Sequence, residues 1–131
     1  MGPALKDLVF QTSDPAVEIR ARVGGHGPPL LLLHGNPLSQ HSWDRMLPRL
    51  LEGFSVVTSD LRGYGESSKP PGEADHRNYS FRQMGTDQFE LMSHLGFERF
   101  ALAGHDRGAR VAYRMAMDHA ERISRVAFLD I

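Results

Sequence analysis

The side chains of this sequence best placed to do chemistry are Asp106, in the run Gly104-His105-Asp106-Arg107-Gly108, and the two arginines that follow it, Arg107 and Arg110. A Gly-x-nucleophile-x-Gly run between a buried strand and a helix forms a sharp corner that holds its central side chain outward. Small flanking residues are needed because neighbouring backbone presses close to such a corner. Aspartate in place of the usual serine changes the reaction. A carboxylate is already ionised at neutral pH, so it needs no base before attacking. It can displace a leaving group from an sp³ carbon and form an alkyl ester. A water activated by histidine then attacks the ester carbonyl, while N–H donors hold the tetrahedral charge. The plainer alternative is an aspartate that caps the helix after it.

Arg107 and Arg110 stand three positions apart at a helix start, so they share a face and flank Asp106. Two guanidinium groups beside an anionic nucleophile suit a substrate that carries its own carboxylate, gripped by fork-shaped donors. Their charge also offsets repulsion between the two anions. The alternative is surface pairing with nearby acids, as expected of Arg114 with Asp118 one turn on. Two further segments complete a candidate site. His34-Gly35-Asn36-Pro37 follows a buried strand, and the backbone N–H groups of Asn36 and Arg107 would form an oxyanion hole, unless the segment is a generic Asn-Pro turn. Asp130 ends the strand after the nucleophile, where ligands bind in open sheets. There it can orient a histidine and stabilise its charged form, or it is merely the first polar residue after a strand.

These residues need strand ends and helix starts to hold them. Residues 8–10 and 17–23 read as two short strands, the second alternating apolar and charged like a half-exposed antiparallel strand. Residues 30–33, 54–58, 100–103 and 126–129 are apolar runs suited to strands buried on both faces. Trp43, Met46, Leu47, Leu50 and Leu51 repeat at helical spacing up to Gly53, with Pro48 in the first turn or bending the helix. Ser80 with Gln83 forms a capping box that starts a helix running to His94, closed by Gly96. Gly108, Val111, Ala112, Met115, Ala116 and His119 mark another. Residues 61–78 form a Gly-, Pro- and charge-rich loop, the one stretch that reads as mobile, with Asp60 and Arg62 expected to brace it. Apolar strands alternating with helices demand an α/β fold: a mostly parallel sheet with right-handed crossovers and an antiparallel hairpin at its N-terminal end. Residues 1–131 read as part of one domain.

With 131 residues, 40% hydrophobic and 24% charged, the chain reads as one soluble globular unit. The net charge of −1, with basic residues spread along the chain, gives no reason to expect nucleic acid or a membrane surface as a partner. The absence of cysteine excludes disulfides, thiolate chemistry and Cys-based zinc sites. No cofactor or metal is expected. Met1-Gly2-Pro3-Ala4-Leu5-Lys6-Asp7 lacks the pattern of a signal peptide, so the expected location is cytoplasmic.

The motifs together resemble the N-terminal part of α/β-hydrolases of the haloacetate (fluoroacetate) dehalogenase type, kin of epoxide hydrolases and haloalkane dehalogenases. Leu32-Leu33-His34-Gly35-Asn36-Pro37 and Asp60-Leu61-Arg62-Gly63-Tyr64-Gly65-Glu66-Ser67 carry it at superfamily level, with Leu129-Asp130-Ile131. Gly104-His105-Asp106-Arg107-Gly108-Ala109-Arg110 is the specific part: epoxide hydrolases and haloalkane dehalogenases usually have tryptophan at the Arg107 position, whereas haloacid dehalogenases have arginine at both positions. The resemblance implies Asp106 as nucleophile, Arg107 and Arg110 as the carboxylate clamp, and Asp130 as the acid of the triad. Asn36 departs from the aromatic residue usual in haloacetate enzymes and matches haloalkane dehalogenases; the resemblance implies either that its side-chain amide helps bind the halide or that the residue shifts substrate preference. The family's helical lid with its halide-binding residues, the last two strands and the catalytic histidine are expected beyond Ile131. None of the seven histidines suits that role, so this portion is expected to be incomplete for turnover. Three readings stay open: a hydrolase of short 2-haloacids acting through an Asp-ester, an epoxide hydrolase, and an inactive module that binds a small anion. Self-association through the uncovered sheet edge after residues 126–129 accompanies the last.

Overall fold

A computed structural model describes residues 5–130, and in it strands and helices alternate as the patterning predicts. In chain order they are β1 (Leu5–Gln11), β2 (Glu18–Gly25), β3 (Pro29–Leu33), α1 (Leu47–Leu50), β4 (Ser55–Ser59), α2 (Phe81–His94), β5 (Phe100–His105), α3 (Arg107–Asp118) and β6 (Ile123–Leu129). Short 3-10 turns occupy Gln40–Trp43, Arg77–Tyr79 and Ala120–Arg122. Met1 to Ala4, the head of the segment without a signal-peptide pattern, and Ile131, which closes the last motif, lie outside the described residues.

One sheet in the order β1-β2-β4-β3-β5-β6 organises the molecule. β3 sits near its middle and pairs in parallel with β4 and β5, Leu31 lying level with Val57 and Leu102. β1 and β2 form the expected antiparallel hairpin, joined antiparallel to β4. The unbroken leucine run follows from cover on both sides. Leu31 and Leu33 enter a core with Val57, Leu91, Met92, Leu102, Val111 and Met115 beneath α2 and α3. Leu30 and Leu32 face the other way, onto Trp43, Leu47 and Val56. Burying each such side chain stabilises the fold by roughly 1.5–3 kcal/mol.

Ser80 starts α2 as expected: its hydroxyl accepts the Gln83 N–H at 3.0 Å. Gly96 (φ +84°) ends it, with Phe97 N donating to Met92 O at 2.8 Å. Gly85 lets α3 approach closely, because a Cβ there would lie 2.7 Å from Met115 Cγ.

Four expectations are corrected. The helix expected around Trp43 to Leu51 is a 3-10 turn followed by one α turn, since Pro48 in the first turn of α1 has no N–H to continue an earlier helix. Arg22 does not lie on a solvated face of β2. It is buried, with its Nε shared between Gln40 Oε1 and Thr58 Oγ1 (3.1 Å each) and an NH2 at 2.8 Å from Asp44. β6 is exposed along all but its first residue, because it is an edge strand whose outer side is unpaired among the described residues. The loop at 61–78 is tied down: Arg62, 0% exposed, bonds Asp87 with two donors (2.8 Å each) and Asn78 O at 2.8 Å. Asp60 accepts the Gln40 and Glu66 N–H groups, bracing the loop as expected. Among the described residues no helix is long and apolar enough to cross a membrane.

Candidate active site

Two strand ends meet at the carboxyl edge of the sheet. β5 finishes at His105, and the chain turns at Asp106 (φ 55°, ψ −114°) directly into α3. A non-glycine residue there costs on the order of 1–3 kcal/mol and persists only where its surroundings impose it. Here they do. Asp106 N donates to Leu129 O at 2.9 Å, and Asp106 O accepts from Ala109 N at 3.0 Å and Arg110 N at 3.3 Å. The glycines make the corner possible. A Cβ on Gly108 would collide with the Leu33 carbonyl oxygen, one on Gly104 with the Gly108 carbonyl oxygen, and one on Gly35 would lie 2.8 Å from Asp106 Cβ.

The Asp106 carboxylate does not cap α3, which removes the plainer reading of this residue. It faces the loop after β3, where Asn36 N donates to its Oδ2 at 3.1 Å. That N–H, then the N–H of Arg107, and then the charges of His105 and Arg107, hold the Asp106 carboxyl below the usual aspartate range. The group is therefore an anion at neutral pH. The Asn36 loop is itself a tight turn, with Leu38 N bonded to Gly35 O at 2.9 Å and a cis Asn36–Pro37 peptide. His34 anchors it. Its Nδ1 lies 2.8 Å from Gly35 O and its Nε2 accepts Leu61 N at 3.0 Å, so the ring is neutral, and burial lowers its pKa.

A cleft of about 280 Å³ opens at this corner, lined by Asn36, Phe81, Asp106, Arg107 and Arg110. Four residues singled out by sequence thus line one cavity. Neither Arg107 nor Arg110 has an acidic partner within ion-pair distance among the described residues, whereas Arg114 has Asp118 at 3.4 Å and shares it with Arg82 at 3.0 Å. Asp130 does not line the cleft. It follows β6 with its side chain 89% exposed and its Oδ2 3.7 Å from His105 Nε2. Phe81 and Tyr64 escaped sequence reasoning. Phe81 is merely the first residue of α2, and its place opposite Arg110 depends on how α2 packs on α3. Tyr64 lies within a motif, but its hydroxyl bond to Asn36 Oδ1 at 2.9 Å joins segments far apart in the chain.

Other cavities lack such a concentration of groups. An apolar pocket of about 230 Å³ lies beside His105, between Leu129 and Trp43. A groove of about 580 Å³ runs between the end of β1 and α2, away from Asp106. Its charged groups are already occupied, Glu90 by Ser13 and Arg122 by the Phe97 and Glu98 carbonyls. Among the described residues no group of three or more His, Asp or Glu side chains could hold a metal ion.

Strand order, strained corner and paired loops are those of a known fold, and the family model for the alpha/beta hydrolase fold matches residues 28–131. The chain belongs to the α/β-hydrolase fold family. This α/β-hydrolase chain is 58% identical to a fluoroacetate dehalogenase of Burkholderia sp. over 88% of its own length and 38% of that protein. It is 43% identical to the soluble epoxide hydrolase of Corynebacterium sp. (strain C12), over 82% of its length and 36% of the relative. In three dimensions it is similar to an α/β hydrolase of Nostoc sp. PCC 7120 with a TM-score of 0.94 and 48% identity, covering 98% of this chain and 43% of the other. It thus spans about two fifths of the length of these relatives. Within this α/β-hydrolase chain the corner presents an anionic oxygen, backbone N–H donors and two guanidinium groups without an acidic partner among the described residues to one cavity, an arrangement able to bind a small anion beside a carboxylate.

Proposed function

We propose that the chain carries the nucleophilic half of a hydrolase that cleaves the carbon–halogen bond of short 2-haloacids such as haloacetate. The observation that carries this reading is that Arg107 and Arg110, with no acidic partner among the described residues, line the same cleft as the Asp106 carboxylate. Arg107 and Arg110 take the substrate carboxylate in charge-assisted hydrogen bonds. Asp106 Oδ then attacks the carbon bearing the halogen. The C–O ester bond forms as the carbon–halogen bond breaks, and the electron pair leaves with the halide. The lowered Asp106 pKa keeps the attacking oxygen ionised. In the second step a water adds to the ester carbonyl, and the N–H groups of Asn36 and Arg107 take the charge that develops on its oxygen. Among the described residues no histidine lines the cleft to activate that water. In this reading a histidine activates that water, and Asp130 would serve as the acid that orients it. The fluoroacetate dehalogenase relative supports the haloacid assignment.

An epoxide is the second reading, favoured by the epoxide hydrolase relative and disfavoured by the two guanidinium groups, which a neutral substrate would leave unused. Adding bromoacetate, its neutral amide and an epoxide to the chain separates the readings. A stoichiometric burst of bromide from bromoacetate alone is expected. Equal reaction with the amide, or preference for the epoxide, overturns the haloacid reading. A chain that binds haloacetate with no burst is the anion-binding module instead. The open edge of β6 supports pairing with a second copy, which light scattering across concentration reads directly.

A further inference from the structure

Arg110 belongs to two cavities. One is the cleft at Asp106; the other, of about 270 Å³, is lined by Phe81, Arg110, Tyr113 and Arg114, so the two meet at Phe81 and Arg110. Arg107, Arg110 and Arg114 thus follow one another along α3 from the nucleophile outward. Residues four apart on a helix are neighbours about 6 Å apart along its axis, which sets Arg114 one turn beyond Arg110. The acid beside Arg114 is Asp118, and both its oxygens are already engaged by Arg82, at 3.0 and 3.2 Å, while Arg114 makes one contact with it at 3.4 Å. Arg82, Arg110 and Arg114 therefore have one carboxylate among them, and the second cavity carries an excess of positive charge. A monoacid such as haloacetate, held by Arg107 and Arg110, leaves that excess unused.

We infer that the site takes short dicarboxylates halogenated beside one carboxylate: Arg107 and Arg110 hold that carboxylate, and Arg114, in the adjoining cavity, holds the second. The inference rests on the haloacid reading of the cleft. Chemistry at the reacting carbon is the same. Asp106 Oδ forms the ester bond as the carbon–halogen bond breaks, the electron pair leaves with the halide, and the distal carboxylate is unchanged. What differs is the charge to be managed. A dianion approaching the ionised Asp106 meets more repulsion than a monoanion, and a third guanidinium group offsets it. Guanidinium suits this task, since its planar fork matches a carboxylate and it is charged at any working pH. Phe81, packed against the main core, lines both cavities and supplies apolar surface for the methylene group between the two carboxylates. Arg114, otherwise one partner in a surface ion pair, thereby gains a part in substrate selection.

The test compares 2-bromosuccinate with 2-bromobutyrate, in which a methyl group stands where the second carboxylate would be. The readout is the rate at which each alkylates Asp106 in the full chain, corrected for its own rate with acetate ion in solution. The parent chain should prefer bromosuccinate by about three- to ten-fold, the worth of one charge-assisted hydrogen bond at a partly exposed site. In Arg114→Gln the ratio should fall to within about two-fold of unity, and because it is taken within one variant, any general loss of activity cancels. A ratio near one in the parent, or one that survives Arg114→Gln, overturns the inference. A second readout needs no reaction. Titrated into the ¹⁵N-labelled chain, succinate should shift the Arg114 Nε–H signal and bind several-fold more tightly than butyrate, an advantage lost in Arg114→Gln. Equal binding of the two acids, or an advantage indifferent to Arg114, overturns it too. Absence of alkylation by bromoacetate and both reagents, with the Arg114-dependent binding of succinate intact, counts against the nucleophile reading and leaves the dicarboxylate site standing.

Discussion

Two arginine–aspartate groupings in this chain use the same side chains to opposite ends. Arg62 is wholly enclosed, and its donors are met by both Asp87 oxygens and the Asn78 carbonyl, with Asp14 3.4 Å away. Every nitrogen of the guanidinium has a partner, and the pair fastens the 61–78 loop to α2. At the head of α3, Asp106 meets backbone N–H groups and is half-buried, while Arg107 and Arg110 have no acidic partner among the described residues. There the hydrogen-bonding capacity is left open toward a cavity. Saturation marks the first grouping as a brace. Unspent donors beside an anion held at a strained corner are what the proposed ligand site rests on.

Variants should separate the two. Arg62→Leu leaves Asp87 buried without its partner and is expected to cost about 3–5 kcal/mol of stability, read by urea denaturation. A small loss would mean that the brace is not what holds the loop. Arg110→Gln should change stability by no more than about 0.5 kcal/mol, as at an exposed position. It should slow Asp106 alkylation by haloacetate by roughly 10- to 100-fold, the worth of one charged hydrogen bond. The reverse pattern would dissolve the contrast between the two groupings. The pH profile sharpens it further. Because the Asp106 pKa is depressed, its reactive anion survives as pH falls through the ordinary aspartate value of 3.8. Alkylation should decline only below that value, checked by initial rates in acid buffers over times the fold withstands. The smallest effect belongs to Asp118, whose bonds to Arg82 and Arg114 lie on an exposed surface. Asp118→Asn should leave both the denaturation midpoint and the alkylation rate within error.

Much of this contrast was legible in the residues, and the rest depended on packing. α2 was readable at both ends because Ser80 and Gly96 act locally, on backbone groups within a turn. The four site residues Asn36, Asp106, Arg107 and Arg110 were legible because each follows a strand end by a fixed short distance, and parallel pairing brings strand ends together. The helix around Trp43 was misread because apolar spacing does not distinguish a 3-10 turn followed by one α turn from a continuous helix, and Pro48 decides the matter. Arg22 looked solvated because alternation in β2 says nothing of Gln40 and Asp44, which arrive from another segment to receive it. β6 is as apolar as a covered strand, but cover is a property of its neighbours. Phe81 and Tyr64 enter the site only through contacts between distant segments, which no local pattern records.

Locating the product of the first step tests the central claim most directly. The chain is incubated with chloroacetate, digested and mapped by mass spectrometry, alongside Asp106→Asn. A single carboxymethyl group on the peptide that contains Asp106, absent from the variant, is the predicted result. No adduct on that peptide, or one that persists after Asp106→Asn, would contradict the account.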